Sequence, residues 1–200
     1  MLDKRDYTLI IDKSGSMSNI ERSTNKSRWD VVKESTLALA RKCDQLDADG
    51  ITVYVFSGKF KRYDNVSAAK VEQIFQENEP MGGTNLTAVL QDAVNSFFQR
   101  KKLNQIKAGE TILIITDGEP DDRRSVFEVI IEATRHLTSD EELALSFIQV
   151  GNDSSATDFL KALDDKLMSI GANFDIVDTI TLSDMEDITL SEVLLSAIND

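Results

Sequence analysis

The run that most constrains the fold is TILIIT at residues 111–116, just past the middle of the chain. It is apolar at four consecutive positions, shows no alternation with polar residues, and is bounded by polar turns. A strand with this pattern is typical of the centre of a parallel sheet, where both faces are buried. Parallel strands need long crossover connections, usually helices. The run therefore predicts an α/β fold built around a central parallel sheet.

Segments on both sides of this run alternate between strand and helix patterns. Strands are predicted at residues 7–11, 51–56, 111–116, 143–150 and 174–177, with 59–63 as an additional edge strand. Helices are predicted at residues 27–43, 67–76, 84–98, 123–137, 155–167 and 185–198. In the edge strand charged residues alternate with aromatic ones, a pattern that protects an antiparallel edge from pairing with other chains.

This alternation predicts a three-layer, doubly wound, mostly parallel six-stranded sheet with helices on both faces. The length of 200 residues is that of one domain, and the sequence has no segment typical of a linker. We therefore expect a single domain over residues 1–200.

Charge and composition disfavour several classes of function. The net charge of −13 opposes binding to nucleic acid, and the short basic cluster at residues 100–102 follows a helix, whose C-terminal dipole it suits. No apolar run approaches the roughly 20 residues that span a bilayer. The first residues lack the apolar core of a secretory signal, and the single cysteine, Cys43, is predicted to pack on its helix. We expect a cytoplasmic protein with no membrane or nucleic-acid partner.

Three polar segments follow predicted strands or precede a helix. Asp12, Ser14 and Ser16 alternate just beyond the first strand, Thr84 follows the pair Gly82-Gly83, and Asp117 ends the strand at 111–116. Small residues after Asp12 allow a tight turn that aims the three side chains at one point. Hydroxyl and carboxylate oxygens are hard ligands that suit Mg²⁺, Mn²⁺ or Ca²⁺, whereas zinc and copper sites usually recruit histidine or cysteine.

The five residues, in this order, resemble the metal-ion-dependent adhesion site of the von Willebrand factor type A domain family. The resemblance extends from about residue 6 to near the C-terminus. It implies the strand order 3-2-1-4-5-6, with strand 3 as the antiparallel edge, which makes the strands before Asp12 and Asp117 neighbours. Ligands of such sheets bind at the carboxyl ends of these strands. The resemblance also implies that Ser14 and Ser16 bind the ion directly, Thr84 directly or through water, and Asp12 and Asp117 mainly through water or by orienting the serines.

A site rich in neutral hydroxyls leaves the ion electrophilic and keeps an exchangeable water, so an Asp or Glu of a protein partner could take that position. Weak affinity for the ion alone follows, because few anionic ligands hold it. Mg²⁺ is the ion we favour. Lys13 would lower the affinity if its side chain pointed inward. The alternative is that these residues bind no ion. Asp12 and Asp117 would then only cap loops, and Thr84 would cap a helix.

Other metal and enzyme motifs fail on particular residues. An EF-hand loop counted from Asp12 has Met17 where glycine belongs and Ser23 where glutamate belongs. The segment around Ser16 lacks the closing glycine of a hydrolase nucleophile elbow, and the only histidine, His136, is predicted near the end of a distant helix. Among enzymes, a metal-assisted phosphohydrolase is the most serious alternative. Such enzymes carry a second aspartate two positions after the first, however, and this chain has Ser14 there. The sequence therefore predicts a non-enzymatic, metal-dependent protein-binding domain, with a structural or assembly subunit as the alternative.

Overall fold

The computed structural model describes residues 5–22, 24–46, 50–106, 108–180 and residue 192, with the backbone alone at 42–46. A six-stranded sheet runs through this part of the chain. Its strands are β1 (Arg5–Asp12), β2 (Ile51–Phe56), β3 (Phe60–Val66), β4 (Gly109–Thr116), β5 (Leu143–Gln149) and β6 (Val177–Ile180). The order across the sheet is β3-β2-β1-β4-β5-β6, and every pair is parallel except β2 with β3. The predicted topology is confirmed.

Helices cover both faces of the sheet. They are α1 (Arg28–Leu46), α2 (Ala68–Glu77), α3 (Leu86–Lys102), α4 (Arg123–Arg135) and α5 (Ser154–Lys166). One apolar core joins α3, α4 and α5 to the sheet, and a second joins α1 and α2 to its opposite face. The three predicted layers are therefore present.

The central strand β4 shows why the apolar run determines this fold. All eight of its residues are buried, and it pairs with β1 on one side and β5 on the other. Ile112 and Ile114 contribute to the core under α3, α4 and α5, whereas Leu113 and Ile115 contribute to the core under α1 and α2. Neither face of the strand can tolerate a polar residue at these positions without a buried partner.

The last strand is where the prediction of boundaries fails. Residues 174–177 were expected to form it, but β6 begins at Val177 and pairs with β5 from Leu145 to Ile148. Phe174 and Ile176 lie in the preceding connection and pack on the core, so their apolar character reflects burial. The predicted helix at 185–198 and the side chain of Cys43 lie outside the described residues. In the part that is described, no helix is both long and apolar enough to span a membrane.

Strand order also places the candidate site. Ile11 of β1 lies beside Ile115 of β4, so both strands end at the same edge of the sheet. Asp12 and Asp117 therefore leave the sheet side by side, although 105 positions separate them in the sequence.

Candidate metal centre

The loop after β1 is shaped by its first aspartate. Asp12 is fully buried, and its Oδ1 accepts a hydrogen bond of 2.6 Å from the backbone N–H of Ser14. The chain then enters a short 3₁₀ turn, Gly15–Ser18, whose Met17 is fully buried and anchors the turn in the core. This local bond is the Asx geometry that allows a short aspartate side chain to fold the backbone after it. Ser14 and Ser16 are thereby directed to the same side.

Both serine hydroxyls converge on Asp117. The Ser16 Oγ donates to Asp117 Oδ1 at 2.8 Å, the Ser14 Oγ lies 3.4 Å from the same oxygen, and the two hydroxyls are 3.2 Å apart. Asp117 and Ser14 are buried, whereas Ser16 is exposed. Buried Asp117 and Ser14 thus hold the cluster against the protein, and solvent reaches it at Ser16.

The glycine-containing loop lies against the first one through backbone contacts. Gly15 N–H donates to the carbonyl of Gly82 at 3.3 Å, and Met81 N–H donates to the carbonyl of Lys13 at 2.7 Å. Gly82 has φ of +85°, a left-handed conformation that glycine adopts without strain. These contacts hold the two loops side by side and place Thr84 at the start of the segment that leads into α3.

Thr84 is buried but is not the cap of α3. That position belongs to Asn85, whose side chain accepts from the N–H of Ala88 at 3.2 Å. The backbone N–H of Thr84 donates to Asp121 Oδ1 at 3.1 Å. Among the described residues no hydrogen bond joins the Thr84 hydroxyl to the serines or to either site aspartate. The capping alternative is therefore wrong for Thr84, and its hydroxyl is not committed to the helix.

Burial makes the Asp12 carboxyl hard to ionise. Desolvation raises its pKa to about 6, assisted by the nearby charge of Asp117 and opposed by hydrogen bonds from Ser14 and Thr116. The bond from the Thr116 hydroxyl to Asp12 Oδ2 is 2.7 Å. Both carboxylate oxygens of Asp12 thus accept from the protein. This arrangement suits a residue that orients the loop and supplies charge.

Two residues of the site were not predicted from sequence. Thr116 was recognised only as the end of a strand, and Arg28 lies in a polar stretch with no spacing that links it to Asp117. The Arg28 Nη1 nevertheless donates to Asp117 Oδ2 at 2.7 Å, and its Nε donates to Glu21 at 2.6 Å. Lys13, the cation that the sequence singled out, is half-buried and forms no ion pair among the described residues.

The acidic residues after Asp117 have separate structural roles. Glu119 pairs with Arg123, and Asp122 caps α4 by accepting from the N–H of Ser125 at 3.1 Å. Asp121 alone reaches the site, through its bond to the Thr84 backbone.

The oxygen set fits a hard divalent ion. Ser14 Oγ, Ser16 Oγ and Asp117 Oδ1 form a triangle with sides of 2.8 to 3.4 Å. Metal–oxygen distances of about 2.1 Å in an octahedron separate adjacent ligands by about 3 Å, so the triangle has the size of one octahedral face. Nowhere in the described ranges do three or more histidine, cysteine or acidic side chains gather at one point. Hydroxyl and carboxylate oxygens suit Mg²⁺, Mn²⁺ or Ca²⁺ better than softer metals.

Solved structures share this fold at low sequence identity. A minor pilin, PilB from Streptococcus sanguinis, superposes with a TM-score of 0.66 at 14% identity over 98% of this chain and 61% of the pilin. The VWA domain of SpRpn10 superposes with a TM-score of 0.65 at 12% identity, covering 97% of this chain and 95% of that domain. The manganese-loaded TRAP protein of Plasmodium vivax gives 0.62 at 17% identity, covering 98% and 74%. The chain thus spans less than two thirds of the pilin.

Sequence comparison gives the family directly. No curated protein matches the chain by sequence. The family model described as von Willebrand factor type A domain matches residues 7–119, more than half of the 200 residues, and this stretch includes all five predicted site residues. The chain therefore belongs to the von Willebrand factor type A domain family.

Proposed function

We propose that this chain is a non-enzymatic protein-binding domain that uses a divalent ion to capture an acidic side chain of a protein partner. The ion would be held at the metal-ion-dependent adhesion site predicted from the sequence, formed by Asp12, Ser14, Ser16, Thr84 and Asp117. The observation that carries the proposal is the convergence of both serine hydroxyls on one oxygen of Asp117.

The chemistry of the site explains why the partner should supply a carboxylate. Two aspartates can balance a divalent charge, but Asp117 is already paired with Arg28, so the site lacks negative charge when the ion is present. A partner carboxylate restores this balance and can replace an ion-bound water. Mg²⁺ fits best in this scheme because its preferred octahedron matches the oxygen triangle, and Mn²⁺ and Ca²⁺ remain alternatives.

The surface beside the site suits a partner with apolar residues near its acidic group. Ile20 and Met81 are large apolar side chains on the loops around the site, and each is 61% exposed. Met81 is bonded to the Lys13 backbone, and Ile20 follows the turn that carries Ser16. Two proteins that share this fold also support the proposal. One is a pilus adhesin, SpaC of Lactobacillus rhamnosus GG, and the other is the TRAP protein, whose structure contains manganese. An intracellular location for this chain stays a prediction.

A different function would make the ion structural. In an assembly subunit the ion would only stiffen the loops, and partner binding would not require it. Phosphohydrolysis is disfavoured because Lys13 and Ser14 follow Asp12 where a second catalytic aspartate would be needed.

Metal binding can be tested with two serines of the same turn. Ser16 donates to Asp117, whereas the Ser18 hydroxyl donates to the carbonyl of Gly15 and does not contact the aspartates. We expect Ser16→Ala to weaken Mn²⁺ binding at least tenfold, about 1.4 kcal/mol, and Ser18→Ala to change it less than twofold. Free Mn²⁺ measured by electron paramagnetic resonance during titration gives both affinities. Equal affinities for the two variants would exclude this site.

Partner capture separates the adhesive role from the structural one. The immobilised domain should retain a reproducible set of proteins in Mg²⁺ and lose it in chelator. Ser16→Ala should lose the same set in Mg²⁺, whereas Ser18→Ala should retain it. Retention that is indifferent to chelator and to Ser16→Ala would instead favour the structural subunit.

A further inference from the structure

Of the two site residues that were not predicted from the sequence, Arg28 is the one that carries a charge. Its side chain is only 11% exposed and bridges two acidic groups, Asp117 and Glu21. The two carboxylate oxygens of Asp117 are thus divided: Oδ1 faces the serines, and Oδ2 accepts from the guanidinium. An ion held on the Oδ1 side, directly or through water, would share one carboxylate with a permanent cation, since arginine does not lose its proton in proteins.

The structure fixes Arg28 in this position. Its backbone N–H donates to the carbonyl of Asn19 at 2.9 Å, which joins the start of α1 to the end of the site turn. Gly151, just beyond β5, has φ of +82°, and a Cβ there would lie 2.3 Å from the guanidinium carbon. The guanidinium therefore occupies the space that any other residue at 151 would need. It is a built part of the site, held by packing and by two ion pairs.

We propose that Arg28 is an internal counter-cation that lowers the affinity of the site for the divalent ion alone, so that the ion is held firmly only with a partner's carboxylate. This inference rests on the proposed metal-binding function. Repulsion between the ion and the guanidinium acts across a single carboxylate in a largely buried site, where solvent screens charge poorly. Orientation of Asp117 by Arg28 opposes this effect weakly, because Ser14 and Ser16 hold the same carboxylate.

A positioning role alone would have the opposite consequence. If Arg28 only oriented Asp117, its removal would loosen the carboxylate and weaken ion binding. If it competes with the ion, its removal must tighten ion binding even though the metal-free protein loses an ion pair. The two readouts, metal affinity and metal-free stability, therefore move in opposite directions only under the proposal.

The experiment compares wild type, Arg28→Gln, Arg28→Lys and Lys13→Gln by Mn²⁺ titration and by thermal unfolding in chelator. Lys13→Gln removes the same charge beside Asp12 without touching Asp117, and Arg28→Lys keeps the charge at the proposed position. We expect Arg28→Gln to bind Mn²⁺ about tenfold more tightly and to unfold at a lower temperature in chelator. Arg28→Lys and Lys13→Gln should bind Mn²⁺ within about threefold of wild type.

The outcomes separate this inference from the proposed function. Unchanged or weaker Mn²⁺ binding by Arg28→Gln overturns the inference, as does equal tightening by Lys13→Gln. If wild type still binds Mn²⁺ through Ser16 in that case, the proposed function stands and only the role of Arg28 is wrong. If neither wild type nor Arg28→Gln binds Mn²⁺ in a manner that depends on Ser16, both are overturned.

Discussion

Asp12 combines a buried carboxylate with hydrogen bonds that favour its charged form. The N–H of Ser14 and the hydroxyl of Thr116 each donate to one of its oxygens. Burial nevertheless outweighs them and raises the pKa to about 6, above the value of 3.8 for a free side chain. In the metal-free protein the ionised carboxylate is therefore a cost to stability, which a bound cation would offset.

Asp12→Asn should reveal this cost through its pH dependence. A folded-state pKa above the unfolded one means that the native protein binds more protons between about pH 4 and 6, so wild type loses stability as pH rises through that window. The variant has a neutral amide at this position, so its stability does not fall in this way as pH rises. In chelator, the stability of the variant relative to wild type should increase by about 1 kcal/mol between pH 5 and pH 7.5. Urea unfolding at the two pH values measures the change.

The same comparison has an internal control. Burial also raises the pKa of Glu110 and of Asp178, but both residues are present in the two proteins and cancel in the difference. Asn can still accept from the Ser14 N–H, and Thr116 can donate instead to the carbonyl of Gly118, 3.2 Å away. A difference in stability that is the same at both pH values would show that Asp12 does not titrate in this window.

At the scale of elements, the sequence predicted what depends on local pattern. The buried run of β4 and the charged edge strand β3 are readable because burial on two faces and exposure of an edge select opposite residue types. Residues that meet only through tertiary structure could not be predicted where no family pattern includes them. Arg28 reaches Asp117 because a short hairpin, in which Ile20–Glu21 pairs with Lys26–Ser27, turns the chain back so that α1 begins beside the site. Phe174 and Ile176 caused the wrong start of the last predicted strand for the same reason, because their burial against the helices cannot be distinguished from strand burial in the sequence.

The five site residues were predicted because three short segments, two after strands and one before a helix, together resemble the pattern of a known family. The structure joins Asp117 to both serines and shapes the serine loop with Asp12. For Thr84 it shows placement beside the first loop, and a metal-binding role for its hydroxyl stays a prediction.

The start of α3 allows that role to be tested against helix capping. Asn85→Ala removes the bond to Ala88 N–H and should lower the free energy of unfolding by about 1 kcal/mol, with Mn²⁺ affinity nearly unchanged. Thr84→Ala should show the reverse: a smaller loss of stability and roughly fivefold weaker Mn²⁺ binding, about 1 kcal/mol. Chemical unfolding and Mn²⁺ titration of both variants measure the two effects. If Thr84→Ala left Mn²⁺ affinity unchanged, the hydroxyl would have no part in binding the ion.

On the scale of the whole molecule, charge complicates any test of metal binding. The net charge of −13 attracts divalent ions to the surface without a defined site. Such diffuse attraction is screened by salt over about 10 Å at 0.1 M ionic strength, and it does not depend on a single hydroxyl. Binding at the proposed site, in contrast, saturates and requires Ser16. The part of the stabilisation by Mg²⁺ that is lost in Ser16→Ala therefore comes from the site, and the remaining part comes from the acidic surface.

Mg²⁺ should therefore raise the thermal midpoint of wild type more than NaCl of matched ionic strength does. At ten times the dissociation constant, binding to the native state alone contributes about 1.4 kcal/mol, which for a domain of this size shifts the midpoint by roughly 3 to 5 °C. Ser16→Ala should retain only the shift that NaCl also gives, whereas Ser18→Ala should behave like wild type. Scanning calorimetry in chelator, NaCl and MgCl₂ measures these midpoints. If Ser16→Ala gained as much from Mg²⁺ as wild type does, the ion would act on the acidic surface as a whole, and the converging serine hydroxyls would need another explanation.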